Sequence, residues 1–144
     1  MTGTVAEVNS RGEIVRAYLA SFETGDPDAV AACVTPEFVN EHLAELGSGS
    51  QGRDEYRRRL PGFLSTFVGA RYSIVALAEV VANASDSDAG SGEVVVRYRF
   101  EATYEGTPID IPGVMWFDVR DGLVARRTDL WDSLTFLRQT GQAD

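Results

Sequence analysis

From Val94 to Trp131 the chain alternates between apolar and polar side chains, and this pattern limits the possible folds more than any other stretch. Val94, Val96, Tyr98, Phe100, Ala102 and Tyr104 fall on one face, and Val95, Arg97, Arg99, Glu101 and Thr103 on the other. A period of two that is rich in β-branched and aromatic residues is a strand with one buried face. Glu105-Gly106-Thr107-Pro108 reads as a turn, because Gly accepts positive φ and Pro lacks a ladder donor. The strand pattern resumes over Ile109–Val119, and Asp121-Gly122 is a tight-turn dipeptide between apolar runs. Leu123–Trp131 is then a third strand, so 94–131 is an antiparallel meander. Asp132 is placed to cap a closing helix over 132–139, with Leu134, Phe136 and Leu137 on its apolar side and Gly141 near its end.

Upstream the apolar period changes to that of helices. Ser10-Arg11-Gly12-Glu13 fits a capping box, and Ile14, Val15, Tyr18, Leu19 and Phe22 follow on one face. Gly25 ends that helix, and Asp26-Pro27 opens a second one with Ala29, Val30 and Cys33 inside. Thr35-Pro36-Glu37 reads as a cap-like turn, and Phe38–His42 as a short extended or irregular piece. Residues 47–52 read as a flexible loop. A third helix starts at Asp54 with Tyr56, Leu60, Phe63, Leu64 and Phe67 on one side, and Pro61-Gly62 is expected to kink or split it. Arg57, Arg58 and Arg59 point in different directions on such a helix and read as solvated or ion-paired surface. Residues 71–81 form a first long strand. Residues 1–9 read as a loose tail and 83–92 as a mobile Ser/Asp/Gly loop. Helices first, then a run of strands, then a short helix indicate an α+β domain, with helices covering one face of a curved sheet.

The totals narrow the function classes. The 144 residues suit one domain with a substantial core. A net charge of −9 disfavours nonspecific binding to nucleic acid or to anionic membrane. Single Cys33 and single His42 leave no internal disulfide and no His/Cys zinc cluster, and no other motif calls for a metal or cofactor. With no signal-like start and no run long enough to cross a bilayer, a cytoplasmic protein is expected.

This order of elements, with Asn40-Glu41-His42, Gly52-Arg53-Asp54, Phe67–Tyr72, Asp121-Gly122-Leu123-Val124, Asp132 and Gln139-Thr140-Gly141, resembles the SnoaL-like polyketide cyclase group. That group has the nuclear-transport-factor-2-like fold, and the resemblance spans nearly the whole chain. Thr128–Asp132 also looks like the end of the last strand in the limonene-epoxide-hydrolase branch. The resemblance implies a cone-shaped curved antiparallel or mixed sheet enclosing an apolar pocket, and a homodimer. Two departures stand out. Ala102-Thr103-Tyr104 lacks the histidine of the group's Gly-Thr-His piece, and Arg97-Tyr98-Arg99-Phe100-Glu101 does not reproduce the branch's Arg-x-Asp pair.

A carboxylate on the wall of such a cone loses solvation, which raises its pKa and suits it to proton transfer near neutral pH. Asp129, at the end of the last strand, is the first choice and Asp132 the second, although an aspartate at a helix start is ordinarily an N-cap. His42 is a candidate shuttle or substrate partner. Arg97 and Arg99 are candidates for orienting a carboxylate or stabilising a developing oxyanion, Arg97 as a catalytic and Arg99 as a substrate-binding residue. If Tyr98's face lines the cone, both arginines point outward and Tyr98 is the polar tip inside. Trp116 and Trp131 are candidates for walling an apolar pocket. The expected function is acid–base chemistry on a hydrophobic carbonyl- or epoxide-bearing metabolite, of cyclase, isomerase or epoxide hydrolase type. The alternative is a noncatalytic binding or interaction module of the same fold.

Overall fold

The computed structural model describes residues 10–81 and 90–144. The tail at 1–9 and most of the loop expected at 83–92 lie outside the described residues. The elements run α1 (Arg11–Ser21), α2 (Pro27–Ala31), β1 (Val34–His42), β2 (Ser50–Gln51), α3 (Arg53–Thr66), β3 (Phe67–Glu79), β4 (Gly92–Tyr104), β5 (Thr107–Arg120), β6 (Leu123–Trp131) and α4 (Ser133–Gln139). A short 3-10 turn at Phe22–Thr24 joins α1 to α2.

The strands form one six-stranded sheet in the order β2-β1-β6-β5-β4-β3. All neighbours are antiparallel except β1 and β6, which run parallel. Both meander turns carry two successive positive-φ residues: Glu105 (47°) with Gly106 (81°), and Asp121 (50°) with Gly122 (81°). That pairing twists with the strands it joins, so both hairpins close tightly. Register shifts in β3, between Val68 and Arg71 and between Ile74 and Ala76, mark irregularities of the kind that bend a strand. The helices lie across the concave side. Tyr18, Leu19, Phe22, Val30, Phe38, Tyr56 and Leu60 meet Val94, Val96, Tyr98, Met115, Phe117 and Val124 in one core.

Several local expectations hold. Ser10 accepts from the Glu13 N–H, Asp26 caps α2 with Pro27 at its first position, and Gly25 takes φ 67°. Others are corrected. Thr35-Pro36-Glu37 is strand, not a turn. Proline is tolerated there because the β1–β6 register shifts between Val34 and Val39, leaving no regular ladder for it to break. The loop at 47–52 contains β2, which pairs with β1 through Val39–Gln51 and Asn40–Ser50. The third helix is continuous through Pro61, its apolar side held on the core by Tyr56, Leu60 and Phe63. Pro108 lies in β5 rather than the turn, in the half of the strand that pairs with β4 alone. Leu134 is exposed, and Phe136 alone of α4 is buried. Cys33 is half-buried against the core, and burial raises its thiol pKa. Among the described residues, no helix is long and apolar enough to cross a membrane.

Candidate active site

Strand alternation decides which side chains enter the cone. On β6 the inward residues are Val124, Arg127, Asp129 and Trp131; on β4 they include Val96, Tyr98 and Phe100. The parallel pairing sets Asn40 beside Arg127 and His42 beside Asp129, and the Leu43 N–H extends it to the Asp129 carbonyl at 2.8 Å. Asn40, His42, Tyr98, Phe100, Arg127, Asp129 and Trp131 line a cavity of about 630 Å³ together with Phe22, Tyr56, Phe63 and Tyr72.

At its polar end Asp129 is 2% exposed and Arg127 4%. Tyr98 donates its hydroxyl to Asp129 Oδ1 at 2.6 Å, and Arg127 Nη2 donates to Oδ2 at 2.9 Å. His42 Nδ1 stands 3.8 Å from the same Oδ2. Tyr98 can reach because position 113 is glycine: Gly113 lies opposite Tyr98 in the β4–β5 ladder, and a Cβ there would collide with the phenol. The second amino group of Arg127 donates to the Tyr18 hydroxyl at 3.0 Å, and Nη2 also reaches the Tyr72 hydroxyl at 3.2 Å. Tyr18 and Tyr56 share a hydroxyl–hydroxyl bond of 2.5 Å. Two buried polar atoms on the β1 side, Asn40 Oδ1 and His42 Nδ1, have no protein partner.

This environment sets the charge states. Burial, then the Arg127 cation, pull the His42 pKa down to about 4 against an opposing pull from Asp129, so the imidazole is neutral at pH 7. Burial and the Asp129 charge raise the Tyr98 pKa, so it remains a hydrogen-bond donor. Burial opposes the charge on Arg127, yet Tyr18, Tyr72 and Asp129 around it hold its pKa well above the usual arginine value. Among the described residues, no three His, Cys, Asp or Glu side chains gather where a metal ion could sit.

Of the residues singled out from sequence, Asp129, His42, Tyr98 and Trp131 line this one cavity. The other four do not. Asp132 caps α4, accepting from the Thr135 N–H at 3.0 Å and from its hydroxyl at 2.6 Å; these bonds lower its pKa. Arg97 and Arg99 occupy the opposite face of β4, where a period of two must put them if Tyr98 points inward, and Arg99 pairs with Asp110 at 2.8 Å. Trp116 is 45% exposed on the outer face. The arginine beside Asp129 is instead the buried Arg127, and Arg58 and Arg59 of α3, read from sequence as surface, also line the cavity. The signal for Arg127 was its position two residues before Asp129 on the same strand, which fixes a shared face. Tyr18, Tyr56 and Tyr72 carried no such signal, since an apolar helix or strand face accommodates tyrosine as core. Asn40 precedes His42 by two residues and shares its face for the same reason.

The comparisons agree with this architecture. A search of curated proteins returns no match. Among solved structures, a Catenulispora acidiphila protein with a ketosteroid isomerase-like fold, in complex with trimethylamine, superposes with a TM-score of 0.74 at 18% identity over 90% of this chain and 92% of the other. A Mycobacterium tuberculosis epoxide hydrolase like the limonene-epoxide enzymes gives 0.70 at 18% identity over 90% and 87%. A Bacillus cereus protein named as a candidate polyketide cyclase gives 0.69 at 21% identity over 91% and 80%. At these identities the likeness establishes the fold, the α+β cone shared by nuclear-transport-factor-2-like and ketosteroid isomerase-like proteins. The profile of the SnoaL-like domain matches residues 15–127, most of the sequence and nearly all of the cone's framework, and the chain therefore belongs to the SnoaL-like domain family.

Proposed function

We propose that this chain is a small cytoplasmic enzyme that moves protons on a hydrophobic metabolite bearing a carbonyl or an epoxide, with Asp129 as the proton-transfer group. The observation that carries this reading is a carboxylate almost removed from water at the polar end of a cavity walled largely by aromatic and aliphatic side chains, held on both oxygens by Tyr98 and Arg127. A fixed carboxylate in a water-poor site keeps one lone pair on each oxygen for a reacting proton. It can take that proton from a carbon beside a carbonyl, which leads to isomerisation or aldol-type ring closure. It can equally take one from a water molecule that opens an epoxide. Neutral His42, with a buried unpartnered nitrogen beside Asp129, is a hydrogen-bond partner for the substrate or for that water. Trp131 and Phe63 supply apolar wall.

The rival is a noncatalytic binding module. It is favoured by the engagement of both Asp129 oxygens inside the protein. Turnover of a panel of hydrophobic ketones and epoxides by the native protein and by Asp129→Asn separates the two. The enzyme reading expects a loss of roughly 10²- to 10⁴-fold in the variant. Equal rates with any substrate that is turned over would remove Asp129 from the chemistry. Under the same reading two copies pair through the outer sheet face. Val114, Trp116 and Leu130 are exposed there, with Val114 directly opposite Leu130.

A further inference from the structure

Hydrogen-bond bookkeeping around Arg127 leaves two phenol protons without an acceptor. Arg127 donates to the hydroxyl oxygens of Tyr18 and Tyr72, because a guanidinium has no acceptor of its own. Tyr18 is fully buried and does not line the cavity. Its own proton therefore has one place to go, the hydroxyl oxygen of Tyr56 at 2.5 Å. The opposite orientation, with Tyr56 donating to Tyr18, would strand the Tyr18 proton in the core, which costs the desolvation of a buried polar group. With Tyr18 donating, the Tyr56 proton has no acceptor among the described residues. The Tyr72 proton has none either, since its only hydrogen bond among the described residues is the one it receives. Tyr56 and Tyr72 both line the cavity beside Asp129. Tyr98, by contrast, spends its proton on Asp129.

We propose that Tyr56 and Tyr72 are catalytic residues that donate hydrogen bonds to the substrate's oxygen, with Arg127 and Tyr18 as positioning residues behind them. Tyr72 accepts directly from the Arg127 cation and Tyr56 is linked to it through Tyr18, so both phenols are polarised and each proton is more positive than that of an isolated phenol. Such preorganised donors in a water-poor site suit an oxygen that gains negative charge, as a carbonyl does on enolisation or an epoxide on ring opening. Burial first, and for Tyr56 its neighbour Tyr18 as well, raises both phenol pKa values, that of Tyr72 to about 12. Both groups thus keep their protons across the neutral range. The arrangement assigns opposite jobs to two ends of one ion pair. Asp129 handles the proton, and Arg127, relayed through tyrosines, stabilises the oxygen. This inference names the oxygen-binding groups of the site proposed above and rests on that reading for the role of Asp129.

The test uses 4-nitrophenolate as a small oxyanion and 4-nitrotoluene as its shape-matched neutral control, in mildly alkaline buffer. Their difference isolates the oxyanion, since both carry the nitro group. The native protein is expected to prefer 4-nitrophenolate. Tyr56→Phe and Tyr72→Phe are each expected to cut that preference about tenfold or more while leaving 4-nitrotoluene binding unchanged. Unchanged control binding also reports that each variant is folded. Tyr18→Phe, which cuts the relay without touching the ligand, is expected to give a smaller loss of the same sign. No preference in the native protein, or a preference that survives both Tyr56→Phe and Tyr72→Phe, would overturn the assignment. Asp129→Asn separates this result from the proton-transfer reading. It removes turnover if that reading holds, and it leaves the two phenol donors and their preference for the oxyanion in place.

Discussion

Arg127 and Asp129 share a strand face, lie in the same buried layer and neutralise each other at 2.9 Å. Taking two charges out of water is expensive, and the pair is tolerable because both carboxylate oxygens and both guanidinium amino groups are hydrogen-bonded. Removing one partner leaves the other charge uncompensated. Arg127→Leu is thus expected to lose about 3–5 kcal/mol of stability by urea unfolding, and the double variant Arg127→Leu/Asp129→Leu less than the sum of the singles. His42 adds a pH signature. Its pKa falls from an ordinary value of 6.5 to about 4 on folding, so between those values the unfolded chain binds the extra proton. The stabilisation is present above about pH 6.5 and fades as pH falls through about 4, and its size is roughly 3 kcal/mol. His42→Gln should flatten that part of the stability–pH curve. A slope unchanged from the native protein's would show that the imidazole titrates normally.

Strand β6 shows what a sequence can and cannot reveal of such a site. Its ends, Leu123 and Trp131, coincide with the limits read from the turn dipeptide and the apolar run, because those signals are local. The same alternation places Arg127, Asp129 and Trp131 on one face. What alternation alone does not supply is which face is inward, and that choice puts Arg127, rather than Arg97 or Arg99, beside Asp129. The meeting of His42 with Asp129 is less legible still, since it depends on a parallel pairing between strands at opposite ends of the chain. Pro36 obscured β1 because proline ordinarily stops a strand, and only the register shift beside it shows why it does not. Pro61 misled in the same way, since tertiary packing of α3 outweighs one missing helix bond. The closeness of β4 and β5 at Gly113 was also hidden, because glycine in a strand has several explanations. Gly113→Ala is expected to push the Tyr98 phenol off Asp129 and cost about 1–3 kcal/mol. In a Tyr98→Ala background the same substitution should be nearly neutral, and a full cost there would locate the strain elsewhere.

The molecule as a whole presents a largely apolar cavity inside and an apolar patch outside. The cavity is closed by helices on one side and the curved sheet on the other. The outer patch carries Val114, Trp116 and Leu130, which are 41%, 45% and 53% exposed. If two copies pair there, sedimentation should give a dimer at micromolar concentration, and Trp116→Glu/Leu130→Lys should give a monomer with an unchanged fold. A native protein that sediments as a monomer at every concentration would end that part of the account. The claim on which the rest depends is that Asp129 moves a proton. It is tested most directly by following α-carbon proton exchange in a panel of hydrophobic ketones by NMR in deuterated water, with native protein and Asp129→Asn side by side. Native protein is expected to wash deuterium into at least one ketone well above the buffer rate, and Asp129→Asn to return that rate to within about a hundredth of the native excess. Exchange that proceeds equally with Asp129→Asn would contradict that role for Asp129.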